Sequence, residues 1–266
     1  MESLRELNQI CQKPRYKETG NWMVRHILRD AALPITWLLL HTPVTANQVT
    51  LASLIIGLAG IMCFAVPSKF IFLIGALLLQ CWYLLDHVDG QIARYRKTAS
   101  LTGRFFDFMT HHIIHGVIFF SLSLYCFQVT GASYFMVWGF IASFSMTLFN
   151  LSHDTKYKTF FERLQQLPNL TIKIREQQKE SAELTATKVS LRKLFSILHK
   201  MSEIHVFMNI LTLTAVVQFA VGWFGDLRFL IFLIYGCIAP FLALTKITYL
   251  IIKREIDSEF VSNFNQ

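Results

Sequence analysis

Residues 70–94 read FIFLIGALLLQCWYLLDHVDGQIAR. From Phe70 to Leu85 the stretch carries no charge, and then Asp86, Asp89 and Arg94 follow within the next three turns. A run this apolar needs only its flanking residues to reach the roughly 20 positions that cross about 30 Å of hydrocarbon. The stretch therefore predicts a membrane-spanning helix that places its carboxylates at one end. At about 100° per residue, Asp86, Asp89, Gly90, Ala93 and Arg94 fall within one arc of about 140°. Gly90 and Ala93 are small, so a bulky group can approach the backbone between the charges.

The next apolar segment carries a second stripe. Gly103, Asp107 and His111 recur at i, i+4 and i+8, the spacing of one helical face. Two such stripes facing each other gather three carboxylates and an imidazole. Like charges that close stay ionised only with cations among them, so the pattern implies divalent metal. Oxygen-rich ligation points to Mg²⁺ or Mn²⁺, and two ions are the usual number where phosphoryl groups are handled. The neighbouring histidines read differently. His112 lies about 140° from Asp107 and His87 about 100° from Asp86, so both are read as packing or interfacial residues. His115 continues the His111 face and could support it from one turn away.

Hydrophobic residues make up 53% of the 266 residues, with 24 phenylalanines, too apolar for a soluble domain of this length. The expected fold is all-α, a polytopic membrane bundle with spans over 46–66, 69–93, 104–127, 131–153, 205–224 and 227–252. The residues before the first span, 1–45, form a tail and an interfacial helix. Trp22–His41 mixes Arg25, Arg29 and Asp30 with Trp37 and three leucines and contains Pro34, which suits a helix lying in the interface. Lys and Arg total 25. Twenty-two of them fall on the side of the termini and the 94–104 turn, against Lys69 and Arg228 opposite and Lys246 within the last span. This bias predicts a cytoplasmic site and cytoplasmic termini. The net charge of +8 is then accounted for by topology and anionic lipid, not by nucleic acid.

Residues 46–153 form the expected core of four spans, 205–252 the last two, and 253–266 a cytoplasmic tail. Between them, 154–204 is polar over Asn169–Thr187. From Lys188, Leu191, Leu194, Phe195, Leu198 and Met201 recur at three and four. That basic amphipathic segment suits an anionic membrane surface or the end of the bundle equally. The five cysteines contain no C-x-x-C and suggest neither disulfides nor zinc. No secretory signal is expected, since the first 20 residues lack an apolar core.

The run Asp86-x2-Asp89-Gly90-x2-Ala93-Arg94-x8-Gly103-x3-Asp107 resembles the signature of the CDP-alcohol phosphotransferase family. The family's fourth aspartate falls at His111. Thr42–Thr50 is similar to the P-N-x-x-T entry of the same family, through Asn47 and Thr50, although helix capping explains those two residues as well. The resemblance implies a membrane enzyme that moves a phosphate-linked group from a CDP-alcohol to a second alcohol and releases CMP, in phospholipid synthesis. CDP-diacylglycerol with a small polar acceptor competes with a CDP-choline-like donor and diacylglycerol. On that pattern Asp86, Asp89, Asp107 and His111 hold the two metal ions, and His111 with Asp107 serves the proton transfer. Asn47, Thr50, Gly90, Ala93, Arg94 and Gly103 receive nucleotide and phosphate. A homodimer and a bacterial inner membrane follow by the same resemblance. Lys246 and Arg254 are candidates for the acceptor, against snorkelling or helix-helix bonding. Loss of the fourth carboxylate leaves open a weakened nucleotide-lipid binding or regulatory protein. A transporter would place its polar breaks at mid-membrane in paired halves, and the charges here cluster at one end of two spans.

Overall fold

Ser3, Thr45, Ser68 and Ser100 each stand one residue before a helix and accept a backbone N–H from its first turn. Such caps satisfy donors that a helix start otherwise leaves unpaired. At Ser3 and Thr45 the cap is reciprocal, because Glu6 and Gln48 reach back to the cap's own N–H. The structure is a computed structural model that describes residues 3–12, 21–165, 197–198, 200–201, 203–221 and 225–263. Its helices are α1 (Leu4–Cys11), α2 (Arg29–Leu40), α3 (Ala46–Ala65), α4 (Lys69–Tyr95), α5 (Leu101–Thr130), α6 (Tyr134–Gln165), α7 (Ile204–Val221), α8 (Leu227–Ile252) and α9 (Glu255–Asn263). A π-helical turn, Val24–Leu28, leads into α2. Among the described residues there is no strand.

Six helices, α3 to α8, are long and apolar enough to cross a membrane, and the protein is an integral membrane protein. The expected spans coincide with them except at their ends. The largest difference is at α6, which runs past 153 to Gln165. Its extension finds partners that hydropathy does not register. Lys156 pairs with Glu259 at 2.9 Å, and Phe160 is buried against Phe260, ring centroids 5.4 Å apart. Charged pairing and one aromatic contact with α9 carry the helix beyond its apolar part. Pro34 does not interrupt α2; the irregular turn lies earlier, at Val24–Leu28. The amphipathic segment expected from Lys188 lies almost wholly outside the described residues.

The bundle core is one cluster that includes Phe64, Phe72, Trp82, Ile118, Met208 and Phe232. α3 and α4 come close together at two glycines, where a β-carbon on Gly60 would stand 2.8 Å from the Gly75 carbonyl oxygen. Any side chain there would force the backbones apart.

The end of the bundle away from the motif is closed by Arg228. Its side chain is fully buried. It donates to the carbonyls of Phe64 (3.0 Å) and Val66 (2.6 Å) at the end of α3, pairs with Asp226 at 2.5 Å and lies 3.7 Å over the Tyr125 ring. One guanidinium thus satisfies carbonyls that a helix end leaves open. Burial raises the Asp226 carboxyl, but the Arg228 bonds outweigh it and hold the group below the usual carboxylate range. At the opposite end, α1 and α2 pack on the last turns of α4. Leu7, Cys11 and Leu33 form one small cluster, and Ala32, Val49, Val88 and Ile92 another. The buried Thr36 hydroxyl donates to Gln91 Oε1 at 2.7 Å, and Gln91 Nε2 donates to the Arg29 carbonyl at 2.9 Å.

Candidate active site

A tight turn sets the geometry of the motif. α4 ends at Tyr95, Lys97 takes a left-handed conformation (φ 56°), the Thr98 N–H returns to the Ala93 carbonyl at 2.9 Å, and Ser100 starts α5. The Arg96 guanidinium donates to the carbonyls of Val44 (2.5 Å) and Thr42 (2.7 Å). It therefore ties this turn to the one that launches α3. Three helix ends are held together before any ligand is considered.

The two stripes meet as their spacing predicts. One ligand atom each of Asp86, Asp107 and His111 lies within 4.8 Å of the others. His111 Nε2 stands 2.8 Å from Asp86 Oδ1 and 3.5 Å from Asp107 Oδ1. Asp107 Oδ1 is buried yet makes no hydrogen bond among the described residues. A buried carboxylate oxygen without a donor is costly, and a cation beside it removes that cost. The donor set, two carboxylates and an imidazole, suits a divalent ion.

A cavity of about 450 Å³ opens in front of these groups. Asp86, Asp89 and Asp107 line it, as do Asn47, Thr50, Gly90, Ala93, Arg94 and Gly103. Asp89 stands apart from the three-residue cluster, since its Oδ2 accepts the Thr50 hydroxyl at 2.5 Å. The last turns of α4 thus place Asp86 toward α5 and Asp89 toward α3. A β-carbon on Gly103 would sit 3.3 Å from Asn47 Oδ1, so glycine leaves that side chain room at the cavity wall. Arg94 folds back over Gly90 and its Nε donates to the Cys11 carbonyl, so the end of α1 steers it.

Other expectations change in the folded chain. His111 itself does not line the cavity. It lies behind the two aspartates with its ring edge-on to Trp82, centroids 5.2 Å apart. His115 receives the Asn150 amide N–H at Nδ1, 2.5 Å, and His112 pairs with Asp154 on α6 at 2.7 Å. Lys246 and Arg254, considered for the acceptor, do not line the cavity either. Lys246 donates to the Phe149 carbonyl at 3.1 Å and lies 3.9 Å over the Phe149 ring, bound into the seam between α6 and α8. Arg254 is exposed in the turn before α9. Charged and titratable residues that spacing did not single out line it too, among them Arg29, His87 and Arg104. Arg104 adjoins Gly103 and could have been noticed. No spacing connects Arg29 to the motif, since α2 reaches it only through packing.

The family model described as CDP-alcohol phosphatidyltransferase matches residues 43–172. This stretch runs from the start of α3 through the end of α6 and contains Asp86, Asp89, Asp107 and His111. No curated protein matches the chain. Members of the family generally use divalent metal ions, which accords with the donor set of Asp86, Asp107 and His111. The chain belongs to the CDP-alcohol phosphatidyltransferase family, membrane phosphotransferases that take their group from a CDP-alcohol in lipid synthesis.

Proposed function

We propose that the protein transfers the phosphatidyl group of CDP-diacylglycerol to a small polar alcohol and releases CMP. The observation that carries this reading is the meeting of Asp86, Asp107 and His111 within 4.8 Å beside a cavity at the end of a lipid-embedded bundle. A diacyl donor keeps its tails among the spans while its diphosphate reaches that end. Asp86, Asp89, Asp107 and His111 would hold two divalent ions, Mg²⁺ or Mn²⁺, whose charge neutralises the diphosphate and the departing CMP. The positive-inside bias supports a cytoplasmic site, and the family resemblance supports a bacterial inner membrane and a homodimer.

The chain's own groups divide the remaining work. Asn47 and Thr50 on α3, with Gly90, Ala93 and Gly103, leave a shallow wall for the nucleotide. Arg94, steered by the Cys11 carbonyl, meets phosphate. Asp107 faces the cavity with Oδ1 unbonded and takes the proton of the attacking hydroxyl. His111 Nε2–H bonds Asp86 at 2.8 Å and faces Asp107 at 3.5 Å, so it orients both carboxylates for that transfer. His111 thereby fills the position of the family's last aspartate without entering the cavity.

The test is CMP release by the purified protein in Mg²⁺ or Mn²⁺. CDP-diacylglycerol with a panel of small alcohols is compared with CDP-choline and CDP-ethanolamine offered with diacylglycerol. Release that needs both CDP-diacylglycerol and an acceptor is expected. Release only with the CDP-aminoalcohols would assign the opposite donor, and binding of nucleotide without release would assign a regulatory protein.

A further inference from the structure

His87 lines the cavity and has no part in the roles above. Its Nδ1 lies 2.9 Å from the Tyr83 carbonyl oxygen. A carbonyl only accepts, so Nδ1 carries the hydrogen and Nε2 the lone pair. The ring is held in that orientation. It packs edge-on to Tyr83 at 5.1 Å between centroids, and the Tyr83 hydroxyl is itself held by the Asn21 amide at 3.2 Å. Nε2 has no hydrogen-bond partner among the described residues. An acceptor lone pair on a fixed ring, in the wall of a substrate cavity, is a binding group for an O–H or N–H.

Its position relative to Asp86 decides which. Asp86 Oδ1 faces His111 at 2.8 Å, while its Oδ2 lies 3.6 Å from His87 Nδ1. His87 and the Asp107–His111 pair thus flank Asp86 from two sides. A hydroxyl has one hydrogen to donate, and that of the attacking hydroxyl goes to Asp107. The lone pair on the other flank is left for a second hydroxyl of the same molecule.

We propose that His87 Nε2 accepts a hydrogen bond from a non-reacting hydroxyl of the acceptor, which makes the acceptor a polyol. This rests on the reading of the site as a CDP-diacylglycerol transferase. In the reaction one hydroxyl oxygen bonds to the lipid-side phosphorus and the diphosphate P–O bond breaks. CMP leaves with the bonding pair, the proton passes to Asp107, and the second hydroxyl keeps its hydrogen.

The experiment measures kcat/KM for matched acceptors that differ by one hydroxyl, glycerol 3-phosphate and 3-hydroxypropyl phosphate, with L-serine and ethanolamine as further single-hydroxyl acceptors. Wild type is compared with His87→Leu and His87→Gln, the latter offering a carbonyl oxygen near the place of Nε2. One hydrogen bond predicts a wild-type preference for the polyol of about 3- to 10-fold. In His87→Leu that preference falls to within about twofold, and His87→Gln keeps part of it; KM for CDP-diacylglycerol and Mn²⁺ affinity by calorimetry stay unchanged. Equal losses on both members of the pair, a preference that survives in His87→Leu, or wild-type turnover as fast with L-serine or ethanolamine would overturn the proposal while leaving the transferase reading intact. Should His87→Leu fail to fold, His87→Gln decides, since loss of only part of the preference is expected of it alone. A wild type that releases no CMP from CDP-diacylglycerol with any acceptor would overturn both.

Discussion

Replacing His111 with aspartate restores the fourth carboxylate of the family pattern and tests whether Asp86, Asp107 and His111 form a cation site. His111 Nε2 bonds Asp86 at 2.8 Å and faces Asp107 at 3.5 Å, so it bridges two negative groups. His111→Asp removes that bridge and adds a third anion to a cluster whose ligand atoms lie within 4.8 Å of one another. Two unit charges at that separation repel by about 3.5 kcal/mol at an effective dielectric near 20. The lost bond to a charged partner adds roughly 1.5–3 kcal/mol. Protonation of one carboxyl relieves part of this, so the metal-free variant is expected to be less stable than wild type by a few kcal/mol (about 2–4). The same added charge attracts a divalent ion, and about 3.5 kcal/mol is on the order of 10²-fold in affinity. Thermal unfolding in detergent, in chelator and then in excess Mg²⁺, reads both effects. The variant should melt well below wild type in chelator and gain more from Mg²⁺ than wild type does. In turnover it should stay active with its preference moved from Mn²⁺ toward Mg²⁺. Equal melting in chelator together with equal Mg²⁺ stabilisation would refute the reasoning, because no cation would then be felt at these residues.

His111→Ala is expected to lower turnover by about 10²–10⁴-fold; an unchanged rate would place the proton transfer elsewhere. Asp86→Ala and Asp107→Ala should each abolish transfer and calorimetric metal binding while far-ultraviolet dichroism stays helical, and CMP release retained by either rules out the site. Arg96→Gln frees the turn between α4 and α5 from the turn that launches α3, so KM for the CDP donor should rise about tenfold, the cost of one charged hydrogen bond, with secondary structure intact. Arg228→Met leaves Asp226 buried without its cation and should destabilise by about 3–5 kcal/mol in a melt, whereas Arg228→Met with Asp226→Leu should recover much of that loss. The Asp226 carboxyl is held low in the folded protein, so the contribution of this pair is fully present above the ordinary carboxylate range. It should fade only as pH falls through the lowered value.

The class of molecule, its six spans and its chemical centre were legible in the chain before folding. Hydropathy registers a membrane directly, because crossing hydrocarbon demands about 20 apolar residues in a row. That Asp86 and Asp89 share one helix face, and Gly103, Asp107 and His111 another, was legible for a related reason: residues on one helix share a face by spacing alone. Contacts between distant elements have no such period. Arg29 reaches the cavity because Ala32 packs on α4 and Gln91 bonds the Arg29 carbonyl. Lys246 is drawn away from it by the Phe149 carbonyl. Asp89 bonds Thr50 and so stands apart from the carboxylate one turn before it. His111 shares its face with Asp107, yet only the packing of α5 against Trp82 puts it behind the aspartates while His87, read as interfacial, becomes part of the wall. Local spacing determines which residues can act together; which of them meet a substrate depends on side-chain packing between helices far apart in sequence, and only the tertiary structure decides that.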